Sequence, residues 1–538
     1  MELILKNSLT GELDTLNKTK KNGRLSFYTC GPTVYNDSHI GHARTFITFD
    51  IIRRILDMAG YDVFYGMNIT DIDDKILNKV KLQHWNKLAS KISNTNANTH
   101  MNLEQLETFL IENNFSEEEM TPSYEIYKEF ITKQEKSFWD DMNALNNLSP
   151  TFAIRVSDVI DDITTYINEL IKKQFAYVSN GSVYLDTKKY FEKFDKNCLC
   201  ATHDSDGSNE IWNASSKDEY SNEKKDQKDF ALWKKAKKYE ISFNNVWDDT
   251  KGRPGWHIEC SVMINKIFGG HLDIHGGGID LKFPHHNNEY IQTTAYTENP
   301  DWVTYFLHSG HLNNAGIKMS QSLGNFTTIK QFLSKYTSRQ ARLLVMLHKW
   351  DGPLDLNDDT LKEMMELDNK IVEFFTHVEF MISKGSRLIS KFSEADNELN
   401  IDTTEFTELI NIAIKDNFNT PLIIKSLREY INKIYIYMSN PEPSKYLLEN
   451  IYIDMFTFLD KLGLDYKKKK ESNIDEELKQ VIIDIREKLR NYTNTIPKEN
   501  KQTKKEIYEI TDWIRDVRLP QLNLTFQDTK NGTKIINI

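Results

Sequence analysis

Four cysteines in 538 residues are too few for a disulfide framework, and a chain so poor in them is expected in a reducing compartment. Long apolar runs are missing as well. ARLLVML at 341–347 is typical of the longest, well short of what crosses a bilayer, so no membrane partner is expected. The opening MELILKNSLTGELD lacks the basic start and apolar core of a secretory signal, which makes a cytoplasmic location the expectation. No repeat of solenoid type is found. Positive charge is also in deficit, with 68 Lys+Arg against 79 Asp+Glu and a net −11. From Tyr466 onward, however, 16 Lys+Arg face 12 Asp+Glu, a local +4 that leaves −15 for the rest. A mildly basic end on an acidic body suits a protein that holds RNA at a few places. Taken alone, the charge count fits an ordinary solvated surface better.

What is present begins with a strand–helix–strand order. LSFYTC (25–30) reads as a short strand broken by Gly-Pro. Phe46, Phe49, Ile52, Ile55, Leu56 and Ala59 recur at helical spacing, with Gly60 as the stop. YDVFYGMN (61–68) reads as the next strand. This order predicts an α/β fold around a doubly wound parallel sheet, with ligands at the carboxyl ends of its strands. The expected organisation is a first half of this Rossmann-like domain over 1–150, an insertion over 151–246 and the second half over 247–357. Within the insertion, 201–229 is polar and reads as an exposed loop. A helical bundle over 358–465 is predicted by the stripe Leu361, Met364, Leu367, Ile371, Phe374, Val378, Met381. A second stripe follows Thr420-Pro421, read as N-cap and first helical residue. YKKKK (466–470) leads into a small C-terminal region over 466–538.

The chemistry lies in a few short strings. Cys30 opens CGPTVYNDSHIGHAR, Cys260 closes GRPGWHIEC, and His285 and Glu289 bracket HHNNE. Two thiolates, an imidazole and a carboxylate suit zinc, and His285 and Glu289 stand four apart, on one face of a helix. Yet a lone H-x-x-x-E is usually a surface pair, and buried cysteines are usually inert. Cys198 and Cys200, with only His203 nearby, read as incidental. His39-Ile40-Gly41-His42 follows a strand and opens a helix, where backbone N–H groups favour phosphate. Downstream, KMSQS (Lys318 to Ser322) offers a lysine on a loop able to close over phosphates.

Together these strings resemble the cysteinyl-tRNA synthetase family of class I aminoacyl-tRNA synthetases, from about Phe27 to the terminal segment. FWDDMNALN (138–146) and NGSVYLDT (180–187) are closer to its eukaryotic branch. The resemblance implies Cys30, Cys260, His285 and Glu289 as ligands of one Zn2+, and His39, His42 and Lys318 as catalytic groups. It further implies ATP, carried with Mg2+, against Gly31, His39, Gly41, His42, Lys318, Ser320 and Gln321. Thr70, Trp256, His275 and Asp280 match the cysteine pocket, with Asp280 placed to pair with the substrate ammonium. The family carries lysine where this chain has Gln321, which brings no charge. The implied reaction forms cysteinyl-adenylate from cysteine and ATP and passes the cysteinyl group to tRNA(Cys). Zinc would then select thiol over hydroxyl, since a hydrophobic pocket cannot separate cysteine from serine by the ~10⁴–10⁵ that translation requires. Two other readings use the same motifs: an ATP-dependent cysteine ligase acting on an amino-sugar, and an inactive RNA-binding homologue.

Overall fold

The structure is a computed structural model that describes residues 2–16, 24–92, 101–194, 221–314, 317–318, 326–384, 391–466, 474–497, 500–515, 519, 524–529 and 532–537. Five strands form an all-parallel sheet in the order Val303–Ser309, Leu272–Gly278, Arg24–Thr29, Asp62–Ile69, Phe152–Arg155. The first strand in sequence, Arg24–Thr29, lies at the centre. Successive strands depart from it first to one side and then to the other, so the switch point falls between Arg24–Thr29 and Leu272–Gly278. Both of these strands bury apolar side chains (Leu25, Phe27, Tyr28, Leu272 and Ile274), as strands covered on two faces do.

The helix Ile40–Met58 buries Phe46, Phe49, Ile52, Ile55 and Leu56, the residues whose spacing predicts it. It ends where expected. Gly60 takes φ +88°, its N–H bonding Asp57 O while Tyr61 N–H reaches Leu56 O, so the last carbonyls are satisfied through a left-handed residue. Two buried arginines pin this helix to the chain beyond the sheet. Arg44 donates to the carbonyls of Val345, Lys349 and Trp350. Arg342, from the helix Ser338–Met346, meets Asp50.

A second, antiparallel sheet orders Ala176–Ser179, Ser182–Leu185, Ala231–Lys235, Lys251–Pro254 and Phe243–Asn244. Its first hairpin turns at Asn180-Gly181, both at positive φ, the tight turn that matches strand twist. Of the polar stretch 201–229, residues 201–220 lie outside the described residues. The described remainder keeps much of the expected exposure, with Asn222, Lys225, Asp226 and Gln227 exposed, but it ends in Asp229, which is buried and accepts from Thr187 N, Thr187 Oγ1, Tyr177 Oη and Asp226 N. A short polar run hides one carboxylate that satisfies four donors, which composition does not reveal.

Helices Asp358–Lys384, Glu394–Lys415, Thr420–Met438 and Lys445–Lys461 come next. Met364, Leu367, Ile371, Phe374 and Val378 are buried as the stripe requires. The cap of the third helix sits one residue earlier than expected. Asn419 is the N-cap, its side chain accepting from Leu422 N, and Pro421 is the second helical residue. Thr420 instead turns inward and donates to His348 O. Tyr466–Ile538 is a separate unit containing helices Ile474–Thr495 and Lys501–Trp513 and the ribbon Leu524–Thr529 with Gly532–Asn537. Within it Ile483 and Leu519 pack against Ile482 and Ile514.

Candidate functional site

At the carboxyl end of Arg24–Thr29 the chain must leave the sheet while staying close to its neighbours. Cys30 N–H donates to Gly276 O at 3.1 Å and Gly31 N–H to Asn68 Oδ1 at 2.7 Å. A Cβ at Gly31 would stand 1.8 Å from Asn68 O, so glycine is required by close backbone approach. The segment then runs beside Thr70, with Val34 N–H on Thr70 O and Thr70 N–H on Pro32 O. This delivers Cys30 to the floor of the switch point and His39 to the mouth.

His39 is the N-cap of Ile40–Met58 and His42 its third residue. Each Nδ1 accepts the backbone N–H of the other residue at 3.3 Å, a reciprocal capping box built from two imidazoles. The rings stack at 3.7 Å and 16°. Burial lowers the His39 pKa against the pull of Asp280. Burial, then His39 and Lys75, hold His42 at about 3. The segment just after KMSQS docks on this turn. Ile40 N–H donates to Thr327 O and Ile329 N–H to Ser38 O, both at 2.9 Å. Lys318 lies in the short strand Ile317–Lys318, its backbone paired with Asn313. Ser320 and Gln321 lie outside the described residues.

Below, the sheet and the helices Ile258–Phe268 and Asn287–Thr297 bring together a buried cluster. Cys30 Sγ is 3.4 Å from Cys260 Sγ and 3.6 Å from Glu289 Oε1, and His285 Nε2 is 2.9 Å from Glu289 Oε1. The ligand atoms of Cys30, Cys260, His285 and Glu289 all fall within 4.8 Å of one another, and both cysteines are free. Burial raises the Cys30 thiol well above its ordinary value, and neighbouring Cys260 and Glu289 push the same way. Burial opposes ionisation of Cys260 too, but hydrogen bonds from Cys30 and His285 bring it to about 6. Glu289 is held at about 2 against burial by His275 and His285. Buried sulfur, nitrogen and oxygen donors at this spacing are a fit for a divalent ion with tetrahedral preference.

A second set shares two of these groups: Cys30, His275, His286 and Glu289. His286 Nε2 lies 3.3 Å from Cys30 Sγ, and its Nδ1 is 2.8 Å from His308 Nε2. His275 Nε2 is 2.8 Å from Glu289 Oε2. Spacing singles out His285, and the structure brings His286 to the cluster as well. Sequence spacing set His286 aside for His285, which alone stands four before Glu289, while His308, His257 (3.2 Å from His285) and Glu259 were not singled out by sequence reasoning. For His257 and Glu259 only adjacency to Cys260 offered a signal. His308 arrives from another strand and gave none.

The remaining candidates frame the cluster. Thr70 is buried, its hydroxyl donating to Glu259 Oε2 at 2.9 Å. Trp256 is 36% exposed and stacks on His285 at 4.4 Å and 18°, a flat wall open to solvent. Asp280 is exposed beyond the end of Leu272–Gly278. Along the glycines that follow His275, the side where a Cβ would stand is filled by protein: Phe49 at Gly276, His286 at Gly277 and the Asp280 carboxylate at Gly278. Small residues here let the histidine ring pack on the strand.

A family model described as "tRNA synthetases class I (C) catalytic domain" matches residues 16–366. The chain is 36% identical over 532 residues to the cysteine–tRNA ligase of Encephalitozoon cuniculi (strain GB-M1), covering 99% of this chain and 98% of that one. Over 623 residues it is 32% identical to the cytoplasmic cysteine–tRNA ligase of Homo sapiens, covering 100% and 82%. It is 39% identical over 449 residues to that of Dictyostelium discoideum, where the match takes in 81% of this chain and spans 61% of the relative's length. Among solved structures, a putative arginyl-tRNA synthetase from Campylobacter jejuni superposes with TM-score 0.58 at 13% identity, covering 84% of this chain and 95% of that one. The methionyl-tRNA synthetase of Mycobacterium tuberculosis with methionyl-adenylate gives 0.53 at 12%, covering 82% and 90%. These two likenesses concern the fold.

Proposed function

Because the chain belongs to the cysteinyl branch of the class I tRNA synthetases, we propose that it activates cysteine with ATP and charges tRNA(Cys), as a cytoplasmic enzyme. The observation that carries this reading is the juxtaposition of a two-thiol, imidazole and carboxylate cluster with a histidine-capped helix start at one switch point. The cysteine carboxylate would attack the α-phosphorus of Mg-bound ATP, breaking the α–β bond and releasing pyrophosphate. The terminal 2′-OH of the tRNA would then attack the carbonyl carbon, releasing AMP and a proton.

In this reading each part of the site has a task. The start of Ile40–Met58 receives phosphate, with His39 and His42 as donors and Gly41 leaving room beside them. Lys318, Ser320 and Gln321 would contact the ATP phosphates, with Gly31 beside the nucleotide. Trp256 walls the amino-acid pocket, Thr70 and His275 line its floor, and Asp280 receives the ammonium. Cys30, Cys260, His285 and Glu289 would hold one zinc ion, which supplies a preference for a thiolate over a hydroxyl. His275 fixes Glu289 by hydrogen bonding its second oxygen, as outer partners orient metal ligands.

The test is cysteine-dependent ATP–pyrophosphate exchange followed by charging of purified tRNA(Cys), with serine as control. Exchange with cysteine alone and charging of that tRNA are expected. Exchange without tRNA charging would favour a ligase acting on another acceptor. Absence of both would mark an RNA-binding homologue.

A further inference from the structure

The two histidines that cap Ile40–Met58 carry more information than their position. An imidazole nitrogen that accepts a backbone N–H has no proton of its own. His39 Nδ1 accepts from His42 N, and His42 Nδ1 accepts from His39 N. In a neutral ring the remaining proton then sits on Nε2. Protonating either ring at Nδ1 would set N–H against N–H and break that half of the capping box. It would also place a cation 3.7 Å from a stacked neighbour. Among the described residues, none hydrogen-bonds either Nε2.

The geometry points to a fixed tautomer: the first helical turn locks both histidines as neutral rings that present Nε2–H, making them uncharged donors to the phosphates. The charged groups that bear on the pair are Asp280 on His39 and Lys75 on His42. Burial, the largest influence on each ring, favours the neutral form. Backbone capping thus does for these rings what a carboxylate does for a catalytic histidine elsewhere, selecting which nitrogen faces the substrate. An uncharged donor grips ground-state ATP less than an imidazolium would. Its contribution is kept for the charge that develops at the transferring phosphoryl group.

This inference rests on the proposed adenylate-forming activity but is read independently of it. The full-length protein, labelled with ¹⁵N-histidine, is compared with His39→Asn and His42→Asn to assign the two rings. Asparagine puts a carbonyl oxygen where Nδ1 stood and keeps the cap, while removing the Nε2 donor. At pH 6–8 the expected spectra show unprotonated Nδ1 and protonated Nε2 in both rings. Each asparagine variant should form adenylate roughly 10²–10³-fold more slowly with an unchanged melting temperature. A protonated Nδ1 at neutral pH would overturn the idea. So would an adenylate rate that climbs on acidification below about 6.5 in the wild type and loses that rise in the variants. Loss of cysteine-dependent exchange in the wild type would sink the functional reading while leaving the tautomer assignment standing.

Discussion

Which histidine completes the metal cluster is decided by single side chains, because two four-donor sets share Cys30 and Glu289. The set with both thiols and His285 offers softer ligands, and zinc prefers thiolate to a second imidazole. His285→Ala is therefore expected to lose bound metal, and His286→Ala to retain about one ion per chain. Metal analysis of the two purified variants decides it, and the reverse outcome would move the ion to the His275–His286 side. Cys260→Ala should lose metal and cysteine affinity together, measured by metal content and by the cysteine dependence of exchange. At this scale His285 and Glu289 were readable because i and i+4 share a helix face. His308 was not, because nothing local ties Ser309's neighbour to residues that lie beside it only through sheet register.

Elements meet at two kinds of buried contact, and each predicts a mutational response. Gly31 leaves the central strand with Asn68 O only 1.8 Å from where a Cβ would stand, and that atom is backbone. Gly31→Ala must push two strand ends apart and displace Cys30. A markedly lower melting temperature and loss of metal are expected. Gly60 contrasts with it, having φ +88° and nothing within 4 Å, so Gly60→Ala should cost roughly 1–2 kcal/mol of backbone strain. Thermal melts of the two variants side by side check the difference. The Asp50–Arg342 pair joins Ile40–Met58 to Ser338–Met346, and both side chains are buried. Burial opposes its ionisation, yet Arg342 and Arg54 hold the Asp50 carboxyl below its ordinary value. A lowered folded value means the pair's contribution is complete above the unfolded value, about pH 4. It is lost as pH falls through the folded one. Asp50→Asn strands a buried guanidinium and is expected to cost roughly 3–5 kcal/mol at pH 7. That deficit should shrink against wild type as pH drops below about 4. Periodicity made Ile40–Met58 and the bundle stripes legible, since both bury one face. The antiparallel sheet was not legible in the same way. Its strands are two to five residues long, too short to show an alternation, and Asp229's burial depends on partners 42 and 52 positions away.

At the scale of the whole molecule, charge and chain division coincide. Met1–Asp465 and Tyr466–Ile538 are distinct units, and the second carries the local +4 in a chain of net −11. Every residue that the site brings together lies in the first, so adenylate formation should not need the second. A truncation ending at Asp465 is accordingly expected to retain cysteine-dependent ATP–pyrophosphate exchange. The proposed role of the basic unit is to hold tRNA, and lysine and arginine contacts to phosphate release counterions. Full-length binding of tRNA(Cys) should then weaken as salt rises, and the truncated protein should show weaker binding with a shallower salt slope. Charging should fall sharply in the truncation through a raised KM for tRNA. Exchange assays, charging kinetics and a salt titration of binding, run on both proteins, make the comparison. Equal charging by the two would remove the tail from tRNA recognition and leave the helices between Asp358 and Lys461 to carry it. Loss of exchange on truncation would mean instead that Tyr466–Ile538 stabilises the catalytic unit, a role that charge alone does not suggest.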